Sequence, residues 1–444
     1  MRRAAVLSIL ALLLATTLGV VGAGAEVRYP NDSTLRLNQL QVMGTHNSYH
    51  KRGDPAFNAL IETVVPGVTA EWDYEQAPLP TQFADQGVRQ IELDVWADPD
   101  GTIFSDRKSH EAAGLPADPG IPELKEPGFK VLHIHEVDLE STCWTFVTCL
   151  TEVKTWSDAN PGHAPFTILV EAKDDVVPDL LGLGYASVIP IGPAELDGID
   201  AEIRSVFAPE DIITPDEVRG SRSTLEEAVL TDGWPTLAES RGRVLFALDN
   251  GGGVQSDYLA GHPSLQGRVM FSSGSEPGNP ETAFIKYNNP IGDFAKIQSA
   301  VAAGYIVRTR SDADPKQTNP NLFADRDQAL ASGAQFVSTD YPVPDPKREA
   351  EHPERTEPFV VQMPGGTPAR CNPISGPPAC TASDIENPAW LGPVPEPEPT
   401  TTTTATVTPT TPPPTTPTTP ATGVVVFVAA SPATPVAARP QFTG

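Results

Sequence analysis

Three short apolar runs of this sequence carry residues that can bind a cation or transfer a proton. They are His46 and Asn47 after residues 40–44, Glu92 and Asp94 within residues 88–96, and Glu171 and Lys173 after residues 166–170. Along a β-strand, residues i and i+2 share a face, so Glu92 and Asp94 point the same way. Burying several carboxylates together is costly unless a cation compensates their charge. The spacing therefore predicts a cation site at neighbouring strand ends.

The predicted ligands of this site are all oxygen donors. Asn47, Glu92, Asp94 and Glu171 supply one amide and three carboxylates, and no cysteine accompanies them. Such a hard set suits Ca²⁺ better than Zn²⁺, and it suits Mg²⁺ less well because Mg²⁺ requires a stricter octahedron. We therefore expect calcium as the cofactor.

Histidines and basic residues indicate the chemistry of the site. His46 and His133 can transfer protons near neutral pH, and Lys173, Arg308 and Arg310 are candidate substrate contacts. The cation and lysine would neutralise charge developing on phosphorus, and a histidine would protonate a leaving alkoxide. This combination fits cleavage of a phosphate diester.

Eight candidate strands alternate with stretches long enough for helices. The strands are predicted at 40–44, 88–96, 130–134, 166–170, 243–248, 268–271, 305–309 and 335–338, and two of the helices at 223–231 and 292–303. This alternation predicts an α/β fold, an irregular (β/α)8 TIM-type barrel, whose active site lies at the carboxyl ends of the strands.

The two ends of the chain differ from the globular part. Residues 1–25 have a basic start, an apolar run and an Ala-Gly-Ala cleavage site, which predicts a signal peptide, with a retained anchor as the alternative. Residues 26–345 would form the barrel and residues 346–394 an irregular extension. Residues 395–444 are Thr/Pro-rich and are expected to be disordered. We expect a secreted, extracellular protein, with cell-surface association as an alternative.

Cysteine spacing and net charge limit the partners. Cys143 with Cys149, and Cys371 with Cys380, predict two local disulfides in an oxidising compartment. The net charge of −27, from 30 basic and 57 acidic residues, argues against nucleic acid and against general adhesion to anionic membranes. We expect a monomer without a stable transmembrane segment once the signal peptide is removed.

Two motifs carry a family resemblance. Residues 37–49 (LNQLQVMGTHNSY) and 90–96 (QIELDVW) resemble the opening motifs of the phosphoinositide-specific phospholipase C superfamily, and they are similar to those of its secreted, calcium-dependent microbial branch. Residues 130–133, 168–174, 304–310 and 338–342 keep the order of that branch. The resemblance covers about residues 37–342 and ends before the tail.

The resemblance implies roles for individual residues. Asn47, Glu92, Asp94 and Glu171 would bind calcium. His46 would act at the phosphoryl group, and His133 would be the acid for the diacylglycerol oxygen of a phospholipid at a membrane interface. The inositol 2-hydroxyl would attack phosphorus to give a cyclic phosphate, which water can then open. Either His46 or Glu92 could accept the hydroxyl proton.

Several assignments have competitors. His135 has the same strand parity as His133 and could be the acid, and Lys173 could pair structurally with Glu171. Arg308 and Arg310 could pack around the barrel mouth instead of contacting substrate. Glu92 and Asp94 could instead form a structural ion pair with Arg89 or Arg107. The other histidines, His50 among them, are expected to be ordinary surface residues.

Two other functions fit the same pattern. One is a glycerophosphodiesterase or a sphingomyelinase-D-like enzyme on a related barrel, although such enzymes usually open with His-Arg-Gly and here His46 precedes Asn-Ser. The other is a non-catalytic barrel that serves as a secreted surface-binding module on its Thr/Pro-rich stalk.

Overall fold

Parallel strands follow one another around an irregular barrel in the computed structural model, which describes residues 28–313 and 322–393. The strands are β1 (Leu40–Thr45), β2 (Gln90–Trp96), β3 (Lys130–Val131), β4 (Phe166–Lys173), β5 (Ile212–Ile213), β6 (Val244–Leu248), β7 (Phe271–Ser272), β8 (Phe284–Lys286), β9 (Ile306–Arg310), β10 (Phe336–Thr339) and β11 (Ala369–Cys371). Neighbouring strands follow the order β5-β6-β4-β2-β1-β10-β9-β8, and β7 also pairs with β6. The Lys286 amide donates to the Ser273 carbonyl at 3.0 Å, which links β8 to the end of β7. The predicted fold class is confirmed.

Helices cover the outside of the strands. They are α1 (Pro55–Val64), α2 (Leu79–Ala84), α3 (Lys108–Ala112), α4 (Phe146–Ala159), α5 (Pro193–Val206), α6 (Pro215–Arg219), α7 (Leu225–Thr231), α8 (Leu237–Ser240), α9 (Gly252–Leu259), α10 (Phe294–Ala303), α11 (Leu322–Ser332), α12 (Pro346–Glu351) and α13 (Ala382–Ile385). Sequence-local signals set their ends: the Thr224 hydroxyl caps α7, and Gly304 ends α10 at a φ of 118°. The helices expected at 223–231 and 292–303 contain α7 and α10.

The third predicted barrel strand is wrong. Only Lys130 and Val131 are extended, and they pair antiparallel with the end of β2. The chain then turns back, because Ile134 exchanges backbone hydrogen bonds with Asp138. The missing parallel strand is β8, whose three residues are too short to give a periodic signal.

Apolar residues form two cores. A large core lies between the strands and the surrounding helices and includes Leu93 and Val95 of β2. A smaller core of Phe57, Trp96 and Leu132, with four further residues, lies under the loops that follow β1, β2 and β3. This second core supports the loops at the carboxyl ends of the strands.

Residues after 345 pack on the barrel. β11 pairs antiparallel with β1, and the buried Glu386 forms an ion pair with the buried Arg89 at the start of β2. Both predicted disulfides, Cys143–Cys149 and Cys371–Cys380, are present. The predicted signal peptide and the Thr/Pro-rich tail lie outside the described residues.

None of the helices in residues 28–313 and 322–393 combines the length and apolar character needed to cross a membrane.

Candidate active site

Strand register brings three carboxylates together at the carboxyl ends of β2 and β4. Asp94 of β2 lies directly opposite Glu171 of β4, and Glu92 precedes Asp94 by two residues on the same face. One oxygen from each of the three side chains lies within 4.8 Å of the others. Glu92 and Asp94 are buried and Glu171 is half-buried. The carboxylates that the sequence predicts as ligands therefore meet in space.

The environment of these carboxylates disfavours their charge. Burial raises the pKa of Glu92 to about 7, with Asp249 and Glu171 adding to the effect and Arg308 opposing it. Burial and the charge of Glu171 also hold the pKa of Asp94 well above its usual range, with Lys173 acting in the opposite direction. A bound cation would offset this cost.

Asn47 lies at the turn that leaves β1. Its φ of 40° is left-handed, a conformation that Asn tolerates better than most residues. The following residue joins this turn to β2, because the Ser48 amide donates to the Glu92 carbonyl at 3.0 Å and the Glu92 amide donates to the Ser48 hydroxyl at 2.9 Å. Asn47 is thereby held beside the strand that carries Glu92 and Asp94.

The donor set fits a hard divalent cation. Both carboxylate oxygens of Asp94 and both polar atoms of the Asn47 amide are buried, and within the described residues none of them is in a well-formed hydrogen bond. The Tyr49 hydroxyl lowers the pKa of Asp94 from one side but does not outweigh its burial. Buried oxygen atoms without firm partners, next to two further carboxylates, match the ligands of Ca²⁺.

Two basic residues flank the carboxylates. The Lys173 ammonium lies 3.4 Å from Glu171 and 3.8 Å from Asp94, and although burial lowers its pKa, these carboxylates and Asp175 raise it well above its usual value. The Arg308 guanidinium pairs with Glu92 and donates to Asn288 at 2.6 Å. Lys173 therefore forms the structural ion pair that was the alternative to substrate contact, and Arg308 holds one of the three clustered carboxylates.

The two arginines considered as partners of Glu92 and Asp94 pair with other carboxylates. Arg89, immediately before β2, pairs with Glu386, and Arg107 donates to Glu140 at 2.6 Å. The arginine that meets Glu92 comes from β9, far along the chain.

His46 is oriented by a carboxylate from the neighbouring strand end. Its Nδ1 lies 2.9 Å from Asp340 Oδ1, and its Nε2 lies 3.9 Å from Glu92 and 3.3 Å from an Arg310 nitrogen. Arg310 also donates to Asp340 at 3.1 Å. With Nδ1–H donating to Asp340, the ring presents Nε2 toward the carboxylate cluster, which is the geometry of a general base.

His133 lies in the turn after β3, not at the end of a barrel strand. Its Nδ1 is 2.8 Å from Asp138 Oδ2, and the side chain is 18% exposed. By contrast, His135 is buried among aromatic rings, its Nε2 lies 3.2 Å from the Ala186 carbonyl, and burial lowers its pKa. Of the two histidines, His133 has the accessible ring with a carboxylate partner.

Sequence reasoning missed the carboxylates behind the histidines. Asp340 lies in the family-like motif 338–342, so the sequence could have indicated it as a functional residue. Asp138 lies in no such motif, and only its position five residues after His133 could have indicated it. Asp249 and Lys286, which pair at 2.5 Å near Glu92, were also missed. Lys286 lies on β8, the strand that the sequence pattern did not reveal.

The strand ends of this barrel carry clustered carboxylates, histidines and basic side chains. This combination is typical of the class of α/β-barrel enzymes that cleave phosphate esters. The sequence profile of the family described as phosphoinositide phospholipase C, Ca²⁺-dependent, matches residues 35–373. The chain therefore belongs to this calcium-dependent phospholipase C family, whose members are phosphodiesterases. No curated protein sequence matches the chain.

The chain also matches solved structures at low sequence identity. A calcium-dependent phosphoinositol-specific phospholipase C from Pseudomonas sp. is 18% identical with a TM-score of 0.47, covering 77% of this chain and 97% of its own. The Streptomyces antibioticus enzyme is 20% identical with a TM-score of 0.45, covering 69% and 95%. A glycerophosphoryl diester phosphodiesterase from Parabacteroides distasonis is 11% identical with a TM-score of 0.28, covering 75% and 92%.

Proposed function

We propose that this protein is an exported enzyme that cleaves phosphatidylinositol at a membrane surface into diacylglycerol and a cyclic inositol phosphate. The observation that carries the proposal is the position of His46 Nε2, which faces the cluster of Glu92, Asp94 and Glu171 while Asp340 holds the other ring nitrogen. A base beside a divalent-cation site suits attack by a hydroxyl on a phosphate diester.

The proposed step uses two histidines. The inositol 2-hydroxyl oxygen forms a bond to phosphorus, and its proton passes to Nε2 of His46. The bond from phosphorus to the diacylglycerol oxygen breaks, and that oxygen takes a proton from Nε2 of His133. We assign the base to His46 rather than Glu92, because Glu92 is a proposed calcium ligand whose carboxylate pairs with the buried guanidinium of Arg308, whereas the His46 side chain is 16% exposed.

Asn47, Glu92, Asp94 and Glu171 would hold calcium, which when bound supplies positive charge to the phosphoryl oxygen and lowers the pKa of the attacking hydroxyl. Lys173 and Arg310, which border the cluster from β4 and β9, would contact the phosphoryl oxygens of the substrate. Arg308 would act on substrate through Glu92, whose orientation it fixes.

An apolar groove beside His133 supports docking to a phospholipid bilayer. The groove is lined by Trp72, Val137, Ser109 and ten residues from the segments 60–68 and 177–185, and its volume is about 210 Å³. The Trp72 ring centre is 6.0 Å from that of His133. Val176, Leu180 and Leu181 at its edge are 80%, 66% and 45% exposed. Since a net charge of −27 disfavours anionic lipid surfaces, insertion of these side chains would supply the attraction.

Export is proposed from the apolar N-terminal segment and from the two disulfides. Cys143–Cys149 and Cys371–Cys380 close short loops, and such bonds persist in oxidising compartments. The N-terminal sequence of protein recovered from culture medium tests this part: it should begin close to residue 26.

Vesicles of phosphatidylinositol test the activity. With calcium, the wild-type protein should release diacylglycerol and a cyclic inositol phosphate, identified by phosphorus NMR, and a chelator should abolish the release. His46→Ala should lose at least about 100-fold in rate. Release of glycerol phosphate or choline phosphate from other diesters, with phosphatidylinositol untouched, would favour the glycerophosphodiesterase-like alternative. Vesicle binding without cleavage of any diester would favour the non-catalytic barrel.

A further inference from the structure

Two histidines share one buried carboxylate oxygen behind the proposed acid. Asp138 Oδ2 lies 2.8 Å from His133 Nδ1 and 2.8 Å from His50 Nε2. His50 is fully buried and Asp138 nearly so, which overturns the expectation that His50 is a surface residue. A buried histidine next to a proposed catalytic one is not explained by the reaction described so far.

Hydrogen bonding determines how these rings are protonated. Burial raises the pKa of Asp138, but the two neighbouring histidines outweigh burial and hold that pKa far below its usual value, so Asp138 is a carboxylate that only accepts. Both imidazoles must therefore donate to it. The Nδ1 of His50 is buried and has no hydrogen-bond partner within the described residues, so Nε2 is the ring nitrogen that donates to Asp138. His133 carries a proton on Nδ1 and presents Nε2 outward.

The backbone around these residues is held in place from two sides. The chain after β1 pairs with the chain after Asp138: His50 and Ser141 form an antiparallel bridge, and the Lys51 amide donates to the Glu140 carbonyl at 3.2 Å. On the other side, Glu136 has a left-handed φ of 59°, and its carboxylate accepts the Lys108 and Ser109 amides at the start of α3. The turn from His133 to Asp138 is therefore fixed by contacts with two loops.

His50 also lies between the two proposed catalytic histidines. It stacks on Tyr74 with ring centres 4.4 Å apart, and Tyr74 lies 6.5 Å from His46. The Gln76 amide donates to the His50 carbonyl at 2.8 Å, and the Gln76 side chain donates to the carbonyls of His46 and Asp340. One segment thus supports both histidine–carboxylate pairs.

We propose that His50 and Asp138 are positioning residues for His133. Asp138 accepts the Nδ1–H of His133 and so directs Nε2 toward the leaving diacylglycerol oxygen, while the Nε2–H of His50 holds the carboxylate in the orientation that this requires. This inference rests on the proposed function, since it specifies how the acid of that reaction is held. During the step, the proton on His133 Nε2 moves to the oxygen, and the proton on Nδ1 stays in its bond to Asp138.

A metal ion is the competing explanation for the same three residues, because their donor atoms all lie within 4.8 Å of one another. Two nitrogen–oxygen distances of 2.8 Å are those of hydrogen bonds that already use the facing atoms. We therefore favour the hydrogen-bonded arrangement, and the experiment includes a metal measurement.

Matched variants of His50 test the proposal. His50→Phe keeps a ring to stack on Tyr74 but removes the donor to Asp138, whereas His50→Gln keeps an N–H donor at the end of the side chain. His50→Phe and Asp138→Asn should each lower the turnover of phosphatidylinositol about 10- to 100-fold, part of what an acid contributes. The turnover of His50→Gln should stay within about threefold of wild type, because the hydrogen bond to Asp138 is retained.

A substrate whose leaving group needs no acid distinguishes loss of His133 positioning from general damage to the active site. On a nitrophenyl ester of inositol phosphate, whose phenolate leaves without an acid, the His50→Phe and Asp138→Asn variants should approach wild-type turnover. His46→Ala should be slow on both substrates. Because Asp138→Asn changes few atoms, it tests the same point if His50→Phe fails to fold.

Three results would overturn the inference: full turnover of phosphatidylinositol by His50→Phe, an equal loss on both substrates, or a stoichiometric metal ion that is lost in the His50→Gln protein. If wild-type protein cleaves neither substrate, the proposed function itself fails. Cleavage of both by wild type, with His50→Phe unaffected, refutes the positioning role alone.

Discussion

His46 Nδ1 lies 2.9 Å from Asp340 Oδ1, although 294 positions separate the two residues in the sequence. The pair forms where the barrel closes: Thr45 of β1 is directly opposite Thr339 of β10, and each partner follows one of these residues. Arg310, from the next strand, joins the same carboxylate. The first and last strands of the barrel therefore create the proposed base between them, and no local segment could form it.

Replacement of Asp340 by Asn should lower turnover by about 100-fold or more, because the amide no longer holds the Nδ1–H tautomer of His46. Substrate affinity should change little, since Asp340 is buried behind the ring. Steady-state kinetics on a soluble inositol phosphodiester would measure this as a loss in kcat with a nearly constant KM.

The matched control for this variant is Asp327→Asn, which changes an exposed aspartate on α11. It should leave both kinetic constants unchanged. If Asp340→Asn retained wild-type kcat, Glu92 would become the better candidate for the base.

The sequence predicted the clustering of Glu92, Asp94 and Glu171 because their geometry is local to two strands. Alternation places Glu92 and Asp94 on one face, and parallel strands end at the same edge of a barrel, so Glu171 could be expected nearby. The histidine partners could not be predicted in the same way. Asp138 is fixed by a turn whose Glu136 has a left-handed φ supported by contacts to α3, and such support is invisible before the chain folds.

Short elements account for the remaining differences. The run 130–134 contains three apolar residues of strand-forming type, Val131, Leu132 and Ile134. Only Lys130 and Val131 pair, and they pair antiparallel with β2. β8 has three residues, too few for a periodic pattern. His50 was expected at the surface because histidine is usually only partly buried, and its burial depends on Tyr74 and Asp138, which the sequence does not place beside it.

Calcium-free protein should lose stability as pH rises. The pKa of Glu92 is about 7 in the folded chain against 4.5 for an ordinary glutamate, so its contribution is fully present below pH 4.5 and is lost as pH rises through 7. At about 1.4 kcal/mol per pH unit, the free energy of unfolding should fall by roughly 3 kcal/mol between pH 4.5 and pH 8. Urea unfolding with a chelator present would measure it.

Added calcium and two glutamate variants test whether Glu92 causes this pH effect. Saturating calcium should remove the decline, because the ion favours the ionised carboxylates. Glu92→Gln cannot titrate and should flatten the slope without calcium, whereas Glu351→Gln, which changes an exposed residue of α12, should not. An unchanged slope in Glu92→Gln would assign the titration to another group, with Asp94 the first candidate.

The exposed apolar side chains at the edge of the groove should affect binding to membranes and not the rate of catalysis. Changing Val176, Leu180 and Leu181 together to Ser removes exposed apolar side chains that touch the groove or lie beside it. Binding to phosphatidylcholine vesicles that contain phosphatidylinositol should weaken about 100-fold, on the basis of roughly 1 kcal/mol for each partly inserted side chain. Sedimentation of the protein with vesicles would measure the binding.

On a soluble substrate, which requires no membrane binding, the triple variant should have the same turnover as wild type. Exposed apolar residues elsewhere serve as controls, and changing Leu230 and Ile291 to Ser should leave vesicle binding intact. Equal binding by the triple variant and wild type would mean that another surface meets the lipid.

The extension after residue 345 supplies the buried counter-charge of Arg89. The Glu386 carboxylate accepts Arg89 Nε at 2.8 Å and the Ala164 amide at 2.8 Å, and both charged side chains are buried. Glu386→Ala should therefore cost about 3–5 kcal/mol of unfolding free energy, because it leaves the guanidinium buried without its counter-charge. Replacing both partners, as Arg89→Met with Glu386→Leu, should recover much of that loss, since two apolar side chains need no compensation.

Glu354→Ala, an exposed change in the same extension, should be neutral. Urea denaturation of the three proteins would measure these differences, and a neutral Glu386→Ala would show that the extension contributes little to the stability of the barrel.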